Sequence, residues 1–390
     1  MSYLSHLIFL LLSLFFCEAR AGDNYDERSI RAKRQFLVQN FLPEYGSWPE
    51  GTVNYFFDNA TFDFNQQKSV LNAMEKISSH TCIKYSTEEN DDVMLNITSY
   101  DSSNCWAAIG RVGGRHQRLN FVKHCYSTGM AAHELIHNLG FIHAHQRLDR
   151  DDYLIVNLET FSDNARPQYI IHRNQWTLVP YDYGSVMQYA LTDDDFVPRD
   201  EKYKETMGSE IVAFYDYFMI NQLYECSCAN ENQIECKNQG YPNPAKCSEC
   251  NCPLGYGGAD CSQRPEPGIS LEATNEWQST NFSLDAGVVD NEVGKYRRQI
   301  DFIYHYLWIT APGNKTIQVK VQEMSGVECS DGCIFGGIEV KTKNDNRLTS
   351  PRKCCDQKSE IFESRNNPTV VMAFNSLGLD TYNIEYRFTD

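Results

Sequence analysis

HELIHNLGFIH, residues 133–143, decides how the rest of the chain is read. In an α-helix positions i and i+4 lie on one face a turn apart, so His133 and His137 can point two imidazoles at one ion. Glu134 follows the first of them, placed to reach a metal-bound water without occupying the coordination sphere. Gly140 stands where a helix commonly stops in a left-handed turn, and a sharp turn there returns His143 to the same ion. Three neutral ligands leave a position open, as a catalytic zinc requires; a structural zinc usually fills all four positions from protein. HExxH alone arises by accident on ordinary helices, and the extension to HExxHxxGxxH is what makes the metal reading specific.

The spacing therefore predicts one Zn(2+) per chain on His133, His137 and His143. Zinc lowers the pKa of its water from about 16 to about 7 and polarises a peptide carbonyl. Glu134, as general base, takes the water's proton and hands it to the departing amine. Peptide hydrolysis is the expected reaction, with proteins or peptides as substrates.

Upstream, the run YLSHLIFLLLSLFF from Tyr3 to Phe16 has the length of a secretory apolar region and is too short to span a bilayer. Ala19-Arg20-Ala21 offers a signal cleavage position before Gly22, giving a signal peptide over 1–21; a membrane anchor is the alternative. Arg31-Ala-Lys-Arg34 has the spacing cut by furin-like proteases, so 22–34 is expected to be a propeptide released after Arg34, with a solvated basic patch as the alternative. Of 15 cysteines, Cys17 leaves with the signal peptide, and the even remainder predicts disulfides and a secreted, extracellular protein. Asn59, Asn96, Asn281 and Asn314 head Asn-x-Ser/Thr triplets usable for glycosylation there. The formal charge of -17 argues against nucleic acid as a partner.

At 390 residues and 42% hydrophobic, the chain is long enough for several packed units. Residues 35–226 read as mixed α and β: TVNYFF (52–57) and VMLNI (93–97) alternate like strands, while 64–82 and Cys125–Leu139 have helical character. Cysteines then crowd the stretch to Cys261, among the turns GYPNP and PLGYGG. So small a segment must be stapled, and with Cys226 assigned to the preceding domain, six cysteines remain for three bridges. From 265 to 390, HYLWIT, KTIQVKVQEM, GGIEVKT, TVVMAF and YNIEYRF recur as short strands without a helix, which suggests a β-sandwich.

HELIHNLGFIHAHQRLDRDDY, from His133 to Tyr153, closely resembles the astacin family of metzincin proteases, with its R-x-D-R-D continuation at Arg147, Asp149, Arg150 and Asp151. YDYGSVMQY (181–189) resembles that family's Met-turn. The resemblance implies Met187 as a hydrophobic floor under the zinc and Tyr189 as a further ligand or transition-state donor. It also implies the disulfides Cys82–Cys226 and Cys105–Cys125, and a substrate-aligning edge strand at CWAAIG (105–110). Residues 227–262 resemble an EGF-like module, which implies Cys252–Cys261, and 265–390 resemble a CUB domain more weakly; such modules imply extracellular protein partners. The implied fold class is an α+β metzincin-type protease domain, a small disulfide-rich EGF-like module and an all-β CUB-like sandwich.

Three features depart from the family pattern. Ala144 replaces a glutamate that pairs with the buried N-terminal amine, and a chain starting at Gln35 is longer there, so activity is expected to tolerate different N-termini. Gln188 replaces a histidine beside Met187. The prosegment lacks the F-x-G-D latency motif, so weak latency is expected. A catalytically weak extracellular binding or matrix protein is the competing class, against which the retained Glu134, histidines and Tyr189 speak.

Overall fold

A computed structural model of the chain describes residues 45–58, 61–62, 64–88, 93–102, 104–122, 125–172, 178–192, 194–228, 234–290, 295–355 and 359–390. The signal-peptide run, the 22–34 segment with Arg34, Gln35 and Asn59 lie outside the described residues.

The first unit is built on a five-stranded sheet: β1 (Thr52–Phe57), β2 (Lys84–Ser86), β3 (Met94–Thr98), β4 (Trp106–Ala107) and β5 (His116–Asn120), in the order β2-β1-β3-β5-β4. All neighbours are parallel except the edge pair β4–β5, which is antiparallel. In β1 and β3 consecutive residues are buried, as expected of inner parallel strands covered on both faces. Helix α1 (Phe64–His80) places Val70, Ala73, Met74 and Ile77 on one stripe. They share a core with Val53, Leu95, Ile97 and Leu119 of the sheet and Ala132, Leu135 and Ile136 of helix α2 (Thr128–Asn138).

Helix α2 starts at Thr128 rather than at Cys125, where the periodicity begins. Ser127 is the reason: its Oγ accepts from Met130 N at 3.1 Å, capping an orphan donor of the first turn. At the other end Gly140 has φ +107°, a conformation costly for any side chain, and its N–H closes on His137 O at 2.9 Å. Helix α3 (Phe214–Leu223) leads to Cys226, which is bonded to Cys82 just beyond α1, while Cys105 is bonded to Cys125.

The following module has almost no regular structure. It is tied by Cys228–Cys247, Cys236–Cys250 and Cys252–Cys261, so its six cysteines pair first to third, second to fourth and fifth to sixth.

The C-terminal unit is a β-sandwich. One sheet has the order β6-β8-β13-β10-β11, and the other β7-β14-β9-β12. The first contains β6 (Gly268–Glu272), β8 (Ile303–Thr310), β10 (Gly336–Val340), β11 (Arg352–Lys353) and β13 (Thr369–Asn375); the second contains β7 (Gln278–Asp285), β9 (Thr316–Ser325), β12 (Ile361–Ser364) and β14 (Leu379–Thr389). Leu307, Ile309, Val371 and Ala373 of one face meet Ile317, Val319 and Ile384 of the other. The adjacent Cys354 and Cys355 pair with Cys333 and Cys329 respectively.

Where β10 and β11 turn toward the protease unit, three charges are buried together. Glu339 accepts from Lys341 Nζ at 2.9 Å and Arg352 Nε at 3.0 Å, with all three side chains no more than 2% exposed. Burial by itself would raise the Glu339 carboxyl, yet the two cations hold it below its ordinary value. Removing the anion would strand both cations in a dry site, so Glu339→Ala is expected to cost about 4 kcal/mol of stability in urea denaturation; a loss under about 1 kcal/mol would mean that water reaches the cations.

Candidate active site

Helix α2 sets His133 and His137 one turn apart on one face, and the bend at Gly140 returns His143 to them. The ligating atoms of the three lie within 4.8 Å of one another. Each ring is oriented by its other nitrogen. His133 Nδ1 faces Val186 O at 2.7 Å, His137 Nδ1 faces Phe141 O at 2.7 Å, and His143 Nδ1 faces Gln146 Oε1 at 3.2 Å. Oxygens of this kind only accept, so each Nδ1 carries the hydrogen and each Nε2 presents a lone pair.

Those lone pairs converge. His137 Nε2 and His143 Nε2 stand 3.0 Å apart, a repulsive approach for two acceptors unless a cation lies between them. Protonation is a poor remedy, because burial, and then the neighbouring histidines, depress His137 to about 3 and hold His143 well below the usual imidazole range. Neutral imidazole is the ligating form, and three of them with an open face suit zinc.

Glu134 occupies the adjacent position. It is 8% exposed, and its Oε2 has no hydrogen-bond partner among the described residues. Burial lifts its carboxyl to about 8. The Tyr189 ring lies 4.1 Å from that of His143, centre to centre, and its phenol is pushed up by burial and then by the charge of Glu134. Met187 is buried in the main core beside α2. Its carbonyl accepts from Ala144 N at 2.8 Å, which ties the third histidine's neighbour to the turn. Gln188 points away from the histidines toward Tyr181, whose hydroxyl donates to Gln188 Oε1 at 2.5 Å.

Three further residues shape the site without a signal in the sequence pattern. His145 is fully buried, stacks on His143 at 4.9 Å with the rings 14° apart, and donates from Nε2 to Gln168 O at 3.0 Å. Gln146 orients His143. Asp216 of α3 accepts from Ser185 Oγ at 2.6 Å and Val186 N at 3.0 Å, bracing the 182–187 turn. A lone buried histidine, amide or carboxylate has no periodicity to announce it.

The other predicted positions are dispersed. Trp106 and Ala107 form the edge strand β4, with Trp106 40% exposed. Asn281 on β7 and Asn314 in the turn before β9 are exposed, whereas Asn96 is half-buried inside β3 with its Oδ1 closed off from solvent.

A helix and a glycine bend that close three imidazoles on one point, with a buried carboxylate beside it, define the class as a zinc metallopeptidase. The profile of the astacin peptidase family matches residues 42–225. Two relatives from Caenorhabditis elegans are each 51% identical: zinc metalloproteinase-like protein nas-21 over 95% of this chain and 92% of its own length, and zinc metalloproteinase nas-22 over 87% and 94%. Zinc metalloproteinase nas-17, also from Caenorhabditis elegans, is 35% identical over 92% of this chain and 82% of its own length. The chain belongs to the astacin family of zinc metalloproteinases.

Proposed function

We propose that the chain is a secreted endopeptidase that hydrolyses extracellular proteins with Glu134 as general base and Tyr189 as a hydrogen-bond donor. The observation that carries this reading is the convergence of three Nε2 lone pairs beside the unpaired, buried Glu134 Oε2. Zinc held by His133, His137 and His143 supplies an acidified water and a Lewis acid for the scissile carbonyl. Glu134 accepts the water's proton as the oxygen bonds to the carbonyl carbon, then delivers it to the nitrogen as the C–N bond breaks, leaving a carboxylic acid and an amine. Tyr189 O–H donates to the carbonyl oxygen as charge gathers on it. Strand β4, at the sheet edge, has one side available for antiparallel pairing with an extended substrate.

Purified protein should contain one zinc per chain and cleave a protein substrate, lose cleavage on treatment with 1,10-phenanthroline and regain it with added zinc. Cleavage that persists in fully metal-free protein would overturn the assignment. Tyr189→Phe is expected to lower kcat by about 10² with little change in KM, since the lost hydrogen bond strengthens only as the oxyanion forms; a change confined to KM would place Tyr189 in substrate binding instead.

Seven disulfides among the described residues fit an extracellular protein, and no described helix is long and apolar enough to cross a membrane. The same reading takes 1–21 as a signal peptide and 22–34 as a propeptide cut after Arg34. It divides the rest into a protease domain over 35–226, an EGF-like module over 227–262 and a CUB-like sandwich over 265–390, the last two engaging extracellular partners. Its glycan positions are Asn281 and Asn314, with Asn96 the least open of the described triplets. N-terminal sequencing of the secreted protein tests the two cleavages, which a mature start at Met1 would exclude, and glycan mapping tests the two asparagines, which unmodified side chains there would exclude.

A further inference from the structure

The backbone of one turn holds the His133 imidazole and the chain segment that follows His143. His133 Nδ1 donates to Val186 O at 2.7 Å, and Ala144 N, beside His143, donates to Met187 O at 2.8 Å. That turn hangs from two buried carboxylates. Asp216 holds one side of it from α3, as described above. Asp182 holds the other, its Oδ1 accepting from Gly184 N at 2.9 Å.

The second oxygen of Asp182 faces out of the protease unit. It accepts from Thr349 N at 3.3 Å and from Thr349 Oγ1 at 3.2 Å, across 167 residues of sequence. Thr349 lies in the sandwich, in the loop between β10 and β11. Gly184 packs so closely on it that a Cβ there would stand 2.4 Å from Thr349 Cγ2. The loop is rigidly mounted: Lys341 Nζ donates to Leu348 O at 2.8 Å, Ser350 N to Glu339 Oε1 at 2.9 Å, and Tyr203 O–H to Thr349 O at 3.2 Å. The buried Glu339–Lys341–Arg352 cluster forms its base.

A second contact reaches the helix that carries the other part of the site. Thr128 N, in the first turn of α2, donates to Ile300 O of the sandwich at 2.7 Å. Gly129 lies against the Glu210 backbone, and the Glu210 carboxylate pairs with Arg298 of the sandwich at 2.6 Å, both side chains about nine-tenths buried. Helix and turn thus both rest on residues outside the protease unit.

We propose that the C-terminal sandwich is a working part of the active site, with Thr349 acting as a positioning residue that fixes, through Asp182, the turn whose carbonyls orient His133 and the His143 segment. The inference rests on the proposed metal role of the three histidines. A hydrogen bond to a buried carboxylate is worth more than one between neutral groups, so the Thr349 hydroxyl is a substantial share of what holds Asp182 still. Groups that orient metal-bound imidazoles change metal affinity or activity by tenfold to a hundredfold when removed.

The test uses the full-length mature protein well below its unfolding temperature and reads the rate of zinc loss to a chelator together with kcat. Thr349→Val keeps the shape and removes the hydroxyl; it is expected to release zinc about tenfold faster and to lower kcat by about tenfold. Thr349→Ser restores the donor and should return both to within about twofold of the starting protein. Val319→Ala, in the sandwich core away from the loop, should lower the unfolding temperature and leave both readouts unchanged. Zinc retention and kcat unaltered in Thr349→Val would overturn the proposal, as would equal losses in Val319→Ala. Should Thr349→Val not fold, Tyr203→Phe is read instead: at least about twofold faster zinc loss is expected, and unaltered retention counts against the idea. Starting protein that binds no zinc and cleaves nothing would instead refute the metal reading itself, a distinguishable result.

Discussion

Glu134→Gln is expected to lower kcat by about 10² to 10⁴ while zinc content stays at one per chain. The glutamine is nearly isosteric and cannot accept the proton, and Glu134 contributes no atom to the three-nitrogen cluster, so chemistry and metal binding should separate cleanly. The carboxylate is buried with Oε2 unpaired, so nothing else in the described site relies on its charge for a hydrogen bond at that atom. Peptide turnover beside zinc analysis checks the result. Loss of zinc together with activity would mean that Glu134 holds the site together, and full activity would remove it from proton transfer.

The largest effect on stability is expected at Cys82–Cys226, whose partners are 144 residues apart. On the chain-entropy model a loop of that length restricts the unfolded chain by about 5 kcal/mol. The bridge joins the end of α1 to the segment after α3, the helix whose Asp216 braces the active-site turn. The Cys82→Ser/Cys226→Ser variant should therefore unfold at markedly lower urea concentration and lose activity on warming before the parent does. An unchanged unfolding midpoint would show that the sheet and its helices hold this unit closed without the crosslink.

Much of the site was legible because its chemistry is local. His133, Glu134 and His137 are related by one helical turn, and Gly140 marks a bend that nearly any other residue would resist. Resemblance then supplied Met187 and Tyr189, which spacing alone would have passed over as an ordinary core methionine and a buried phenol. The start of α2 was misplaced by three residues, because apolar periodicity runs back past the cap that Ser127 provides. The strand-rich C-terminal third announced two sheets, but alternation fixes only which face a residue occupies and not which strand it meets.

By itself, the sequence determined the helix that carries His133 and His137, the place of Glu134 on it and the export-compatible cysteine content, since each depends on residue type and on spacing within a few turns of chain. Only the tertiary structure decided what orients the three imidazoles. Gln146 orients His143 from three residues along the chain, but Val186, Asp216 and Thr349 reach their partners through contacts set by packing, Thr349 across 167 residues. A hydrogen bond between distant segments leaves no period in the chain, because its geometry exists only after the sheets and helices have come together.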